Sequence, residues 1–234
     1  MASYFDQFNV VSLIGSWFTN MSVGVLVFFV IILLMGPSSR LIPSRLDIIW
    51  VYVTDHWKEV VKDNIGRNGY IFIPSLLGLF SLLLVVNLLG FFPYVYTIAA
   101  QVVITFTLSF TIVLSVTLMG IVRFRSSFFS MWVPSGAPMP LVPLLVVIET
   151  LSYFSRALSL GLRLAANLSA GHLLMVILGS FTFQLACSGV LSLTSIALSI
   201  ALFVVVLEIA VAVIQAYVFC LLTAVYISDA FNLH

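Results

Sequence analysis

From Asn68 to Val122 the sequence runs for 55 residues without a single Asp, Glu, Lys or Arg. A water-soluble fold cannot dress such a stretch. A hydrocarbon core takes about 20 apolar residues per helical crossing, so the run holds two crossings. Phe92-Pro93-Tyr94 breaks it, because proline has no amide proton to give a helix interior and clashes with the turn before it. The pattern predicts a helical hairpin over 70–122, as about Tyr70 to Phe92 and about Ile98 to Val122. A second charge-free gap runs from Gln7 to Ser39, and its apolar part, about 10–35, predicts a first span. Composition agrees: 7% of the 234 residues are charged and 62% are hydrophobic, against roughly 25% charged in a soluble domain.

Between the first span and the hairpin, Arg40 to Arg67 holds five Lys/Arg and four Asp/Glu. That is too much charge to cross. Apolar residues recur there at helical spacing (Ile49, Trp50, Val53, Trp57, Val60, Val61), predicting an amphipathic helix over 42–66 on the membrane surface. The alternative is a helix packed on a protein partner. Prolines 134, 138, 140 and 143 make an irregular connection, and none follows Pro143 in the last 91 residues. Two long helices are expected there, about 141–184 and 190–227. Each exceeds roughly 50 Å, so each must tilt steeply, bend, or lie partly in the membrane plane. The expected fold class is an all-α integral membrane protein, one membrane domain over 1–234. It has about five membrane-embedded helices plus one amphipathic surface helix, the last two long and strongly tilted.

Arg40, Arg45, Lys58, Lys62 and Arg67 share one side, and a central hairpin puts Arg123 and Arg125 with them. The positive-inside rule turns that side toward the compartment of synthesis, with the N-terminus opposite. The first 39 residues lack Lys and Arg, unlike a signal peptide or a mitochondrial presequence. Insertion through the chain's own first span, or synthesis beside the target membrane, is expected. A net charge of +1 without any basic cluster excludes a nucleic-acid partner. Cys187 and Cys220 both sit in apolar runs and make no disulfide scaffold. Walker A, HExxH, GxSxG and CxxC patterns are missing. No enzymatic centre of its own, no cofactor and no metal site is expected.

Ionisable residues inside the long apolar segments carry the chemistry: Glu149, Arg156, Arg163, His172 and Glu208. Charge in hydrocarbon is costly, and its default reading is functional. The competing reading is a structural ion pair or a residue snorkelling to the interface, to which Glu149, near the prolines, is most open. Glu149, Arg156 and Arg163 are seven apart and share a helix face, with Ser152, Ser159 and Asn167 on or beside it. His172, nine residues past Arg163, lies half a turn around. Polar groups thus approach Arg163 from its two ends on opposite faces, as two separate aqueous inlets would require. Glu208 and Gln215 are again seven apart, with Asp229 near the helix end. Antiparallel pairing would bring Glu208 near His172, and Gln215 near Asn167 or Arg163. Glu and His exchange protons near neutral pH once burial shifts them, whereas a guanidinium keeps its proton. Arg163 then acts as a fixed charge and the others as relays.

Ser159-Leu160-Gly161-Leu162-Arg163-Leu164-Ala165-Ala166-Asn167-Leu168, continuing Ser169-Ala170-Gly171-His172, resembles the signature of subunit a of F-type ATP synthases, and Ala-Gly-His resembles its mitochondrial branch. Asn87-Leu88-Leu89-Gly90-Phe91-Phe92-Pro93-Tyr94, Glu208 with Gln215-Ala216-Tyr217-Val218-Phe219, and Tyr226-Ile227-Ser228-Asp229-Ala230 are similar too. The resemblance runs from about Asn87 to the C-terminus; the first third matches in hydropathy and in its surface helix alone. It implies a multi-pass subunit of the mitochondrial inner membrane, partnered by lipid, by a rotating ring of c subunits each bearing one carboxylate, and by the peripheral stalk and other membrane subunits. It implies that Arg163 is the essential charge facing the ring, with Asn167 and Gln215 as polar neighbours. His172 and Glu208 would line one half-channel and Glu149 the other, with Asp229 also on the proton path and Arg156 and Ser159 supporting. Two other readings compete. An independent transporter would move ions as the purified chain alone. A structural subunit would use its buried charges only to pair with neighbours, so neutralising them would change assembly and leave flux per complex unaltered.

Overall fold

Proline, glycine and capping side chains set where the elements begin and end. The computed structural model describes residues 9–14, 18–23, 25–26, 29, 45–91, 96, 100–125, 141–189 and 191–231. In chain order these form β1 (Ser12–Ile14), β2 (Phe18–Thr19), α1 (Arg45–Asn64), a 3-10 helix (Arg67–Phe72), α2 (Ile73–Leu89), α3 (Val102–Phe124), α4 (Val142–Cys187) and α5 (Leu191–Phe231). Among the described residues four helical stretches are long and apolar enough to cross a membrane: Gly69–Leu89, Val102–Phe124, Val142–Cys187 and Ser192–Phe231. The chain is an all-α membrane protein. Pro143 falls in the first turn of α4, where a missing amide proton costs nothing. Gly66 and Gly189, at φ 84° and 77°, close α1 and α4 in the left-handed region that a side chain disfavours.

The expected first span, about 10–35, lies partly outside the described residues, and where it is described its start differs from expectation. Ser12–Ile14 and Phe18–Thr19 pair as antiparallel strands. Asn20 holds them: its backbone N–H donates to Val11 O at 3.1 Å, its side-chain amide donates to Asn9 O at 3.0 Å, and its Oδ1 accepts from Val11 N–H at 3.3 Å. Helical residues begin at Asn20, not Val10. The reason is a cap at Thr19, whose Oγ1 accepts from Ser22 N–H while Ser22 Oγ accepts from Thr19 N–H, meeting first-turn donors that the helix itself leaves open.

The described chain gathers into two compact units. One comprises Pro37–Phe80, Thr105–Leu162 and Val218–His234. Here α1 lays its apolar stripe on its own chain: Trp57, 1% exposed, sits 5.5 Å ring to ring from Phe80, and Val61 joins Leu76, Val116, Ala224 and Ile227 in one cluster. Asp55 and Lys58 pair at 2.7 Å on the exposed side. Ile49, expected on the stripe, is instead 60% exposed; the stripe runs through Trp50, Val53, Trp57 and Val61. The end of α5 is anchored by several elements. Ser228 Oγ donates to Asn64 O at 2.5 Å, Phe231 meets Phe72 edge-on at 5.2 Å, and the Arg123 guanidinium lies 4.2 Å over the Phe231 ring. α3 and α4 meet at Gly161, where a Cβ would fall 3.2 Å from Phe106 Cα and 3.3 Å from Thr105 O.

The other unit comprises Met1–Gly36, Ser81–Ile104 and Arg163–Tyr217. Buried small residues on α4 and α5 (Ala165, Ala212, Ala216) let the backbones approach closely, the usual means by which helices pack where water supplies no hydrophobic drive. Ser169 Oγ donates to Ala100 O at 3.2 Å. Leu202, Phe203 and Phe183 are about two-thirds exposed, as side chains facing lipid are.

Candidate functional site

α4 carries polar residues on opposed sides because its sequence alternates at helical spacing. Leu164, Ala165 and Leu168 are buried, and His172 continues that inner side one turn on. Arg163 and Asn167, one turn apart, lie on the exposed side. Arg163 has no hydrogen-bond or ion-pair partner among the described residues.

α5 answers with Glu208, Ala212 and Gln215. Asn167 Nδ2 donates to Gln215 Oε1 at 3.0 Å, so of the two neighbours expected for Gln215 it is Asn167 that it bonds. Glu208 and His172 share the walls of one cavity of about 180 Å³ with Asn167, Gly171, Gln215 and Phe91. Glu208 is 8% exposed, and both its carboxyl oxygens lack a partner among the described residues, as does His172 Nε2. A cavity of this size, walled by polar atoms left open, suits several waters. A buried carboxyl with no protein partner must either hold a proton or be solvated by such water.

The remaining predicted residues lie in the other compact unit. Arg156 Nη1 and Asp229 Oδ2 form an ion pair at 3.1 Å, with the guanidinium 5.8 Å from the Tyr226 ring centre. Ser159 is exposed, and Glu149 is half-buried without a partner among the described residues. The structure thus gathers His172, Glu208, Asn167 and Gln215 about one cavity, and Arg156 with Asp229 in one pair.

Sequence reasoning named no role for three further residues, two on the cavity wall and one bonded to a residue of that wall. Asn87 on α2 donates from Nδ2 to Ala212 O at 3.2 Å. Phe91 stacks on His172 with ring centres 5.9 Å apart and planes 25° off parallel. Gly171 faces the Glu208 carboxyl. The first two belong to the Asn-Leu-Leu-Gly-Phe motif, a signal already visible without an assigned purpose.

A family model described as ATP synthase A chain matches residues 17–228. ATP synthase subunit a of Metridium senile is 47% identical over 234 residues, spanning 100% of this chain and 99% of that one. The Saccharomyces cerevisiae protein of the same description is 39% identical over 251 residues, spanning 100% and 97%. That of Neurospora crassa is 42% identical over 219 residues, spanning 92% and 83%. The similarity therefore takes in the first third of the chain, beyond the limit at Asn87 that motifs alone suggested.

Proposed function

The chain belongs to the family of F-type ATP synthase subunit a, of the mitochondrial type, and we propose that it guides protons through two offset half-channels against a rotating ring of c subunits. It is a multi-pass membrane subunit of the ATP synthase complex, in the proton-translocating F0 sector. The reading places it in the mitochondrial inner membrane, beside the peripheral stalk, with no nucleotide chemistry of its own.

One observation carries the reading: a buried carboxyl at Glu208, without a partner among the described residues, beside His172 in a cavity of about 180 Å³. A relay needs a group that exists in both protonation states, and water in the cavity solvates the charged one. Protons enter by His172 and Glu208 and neutralise a ring carboxylate. Once neutral, that carboxyl tolerates lipid, which penalises the ion. After nearly a full turn, the next ring carboxyl releases its proton by way of Glu149, with Asp229 on the same path.

Arg163 supports a ring partner on separate grounds. An exposed guanidinium on an apolar helix, with no acid beside it among the described residues, calls for an anion from another chain in a medium that tolerates no lone charge. There it favours the ionised ring site and, since it keeps its proton, blocks passage between the half-channels. Each proton delivers about 2.3 kcal/mol per 100 mV of membrane potential, which biases rotation in one direction.

Arg163→Ala in the assembled complex abolishes ATP synthesis in sealed inner-membrane vesicles while permitting passive leak. Arg163→Lys fails as well, because an ammonium gives up its proton when desolvated and lacks the planar fork. Near-normal synthesis by the alanine variant would refute the reading. The purified chain in vesicles conducts nothing, whereas an independent transporter would conduct.

A further inference from the structure

The half-channel residues sit on α4 and α5, yet the groups that set their positions come from a third helix. Asn87 is 0% exposed near the end of α2, and its Nδ2 reaches the Ala212 carbonyl 125 residues away in sequence. Ala212 lies four residues after Glu208 and three before Gln215, so this bond fastens the turn of α5 that bears both. Phe91 follows Asn87 by four residues, in the turn that closes α2, where its N–H donates to Leu88 O at 3.1 Å. Its ring is the one stacked on His172, whose Nε2 has no partner among the described residues to orient it. One stretch of five residues therefore braces both sides of the cavity.

Stability is a poor explanation for the asparagine. The Ala212 carbonyl already accepts the helical bond from the amide four residues on, so it does not require Asn87. The other end of the amide, Oδ1, is buried with no partner among the described residues. A buried amide satisfied at one end only is no better for folding than an apolar side chain of its shape. What the bond does supply is register, since it ties α5 to α2 at a single carbonyl.

On the reading given under Proposed function, we propose that Asn87 and Phe91 are positioning residues of the proton inlet. Phe91 fixes the plane of the His172 ring, and Asn87 fixes the rotation of α5 that turns Glu208 into the cavity. The titratable groups on the cavity walls are His172 from α4 and Glu208 from α5, and α2 brings none. The motif Asn87-Leu88-Leu89-Gly90-Phe91 then has a physical purpose: its asparagine holds α5 at Ala212 and its phenylalanine ring holds the imidazole on α4.

The test uses the assembled complex in sealed inner-membrane vesicles carrying Asn87→Leu, Phe91→Leu or Phe91→Trp. Asn87→Leu keeps the shape and removes the half-satisfied amide, so the complex assembles at parental amounts. ATP synthesis per assembled complex falls several-fold in Asn87→Leu and Phe91→Leu, and its dependence on inlet-side pH is displaced while its dependence on outlet-side pH is unchanged. Phe91→Trp, which keeps a flat ring against the imidazole, preserves the parental profile. A fall that merely tracks the amount of assembled complex, or one equal on both sides, overturns the proposal. So does a Phe91→Trp profile displaced like that of Phe91→Leu. Arg163→Ala in the same vesicles separates the two failures. If it still synthesises ATP, the proposed function falls; if it is dead while the Asn87 and Phe91 variants keep parental profiles, this inference alone falls.

Discussion

Gly171 of α4 lies directly against the carboxyl of Glu208 on α5: a Cβ on the glycine would stand 3.1 Å from Glu208 Cδ and 3.2 and 3.3 Å from its two oxygens. Those distances are closer than side chains normally tolerate, so Gly171→Ala forces the carboxyl to move by a few tenths of an ångström or more. Overfilling a packed site costs about 1–3 kcal/mol. Here the Glu208 side chain gives way before the backbone does. The variant is therefore expected to assemble and to lose proton flux, and Gly171→Val to lose more. Proton pumping driven by ATP, normalised to assembled complex, measures this; unchanged flux in both variants would remove the contact from the inlet.

Glu208→Gln keeps the shape and takes away the exchangeable proton. If Glu208 relays protons, synthesis falls by about a hundredfold or more, the scale on which a positioned acid–base group contributes. Glu208→Asp withdraws the carboxyl by one methylene, a gap that water in a cavity of about 180 Å³ is able to bridge. The aspartate variant is expected to retain a measurable fraction of the parental rate. Equal loss in both would argue that Glu208 acts by packing.

How much of this was legible in the sequence depends on what kind of signal a residue leaves. Arg163, Glu208 and His172 stand out because each interrupts an apolar run, and Pro93 and Pro143 mark breaks between helices. Asn87 leaves no such trace of its partner, since it binds a backbone carbonyl that every residue possesses. Gly171 acts through the space it leaves, which no pattern records. The strand pair at Ser12–Ile14 and Phe18–Thr19 was illegible because its apolar residues suit a strand and a helix alike, and only the Thr19 cap decides between them. Ile49 fits the helical period of α1 but sits on the wrong edge of a stripe whose direction tertiary packing sets.

Asp229 reads from the sequence as a proton carrier, while the structure pairs it with Arg156 at 3.1 Å, the side chains being 42% and 34% exposed. A pair so exposed contributes about 1 kcal/mol or less. Neutralising either partner alone is expected to reduce synthesis modestly. The exchanged pair Arg156→Asp with Asp229→Arg discriminates between the roles. If the ion pair is what counts, the double variant recovers most of what each single change loses, a coupling read from the four rates. If Asp229 carries protons, the exchange recovers nothing.

Gly161, two residues before Arg163, packs α4 on α3 with no room to spare. A Cβ there would meet backbone, Phe106 Cα at 3.2 Å and Thr105 O at 3.3 Å, and also Ser109 Cβ at 3.3 Å. Backbone does not swing aside as the Glu208 side chain does. Ser109 adds a constraint at the same crossing, donating from Oγ to the Ala157 carbonyl at 2.5 Å. Gly161→Ala must separate the two helices locally, and Gly161→Leu much more so. The expected outcome is the reverse of that at Gly171. The alanine variant lowers the amount of assembled subunit, the leucine variant removes most of it, and whatever complex does assemble works at a near-parental rate. Immunoblotting of assembled complex beside synthesis per complex measures both. Full assembly of Gly161→Leu would mean that α3 and α4 do not approach this closely in the membrane.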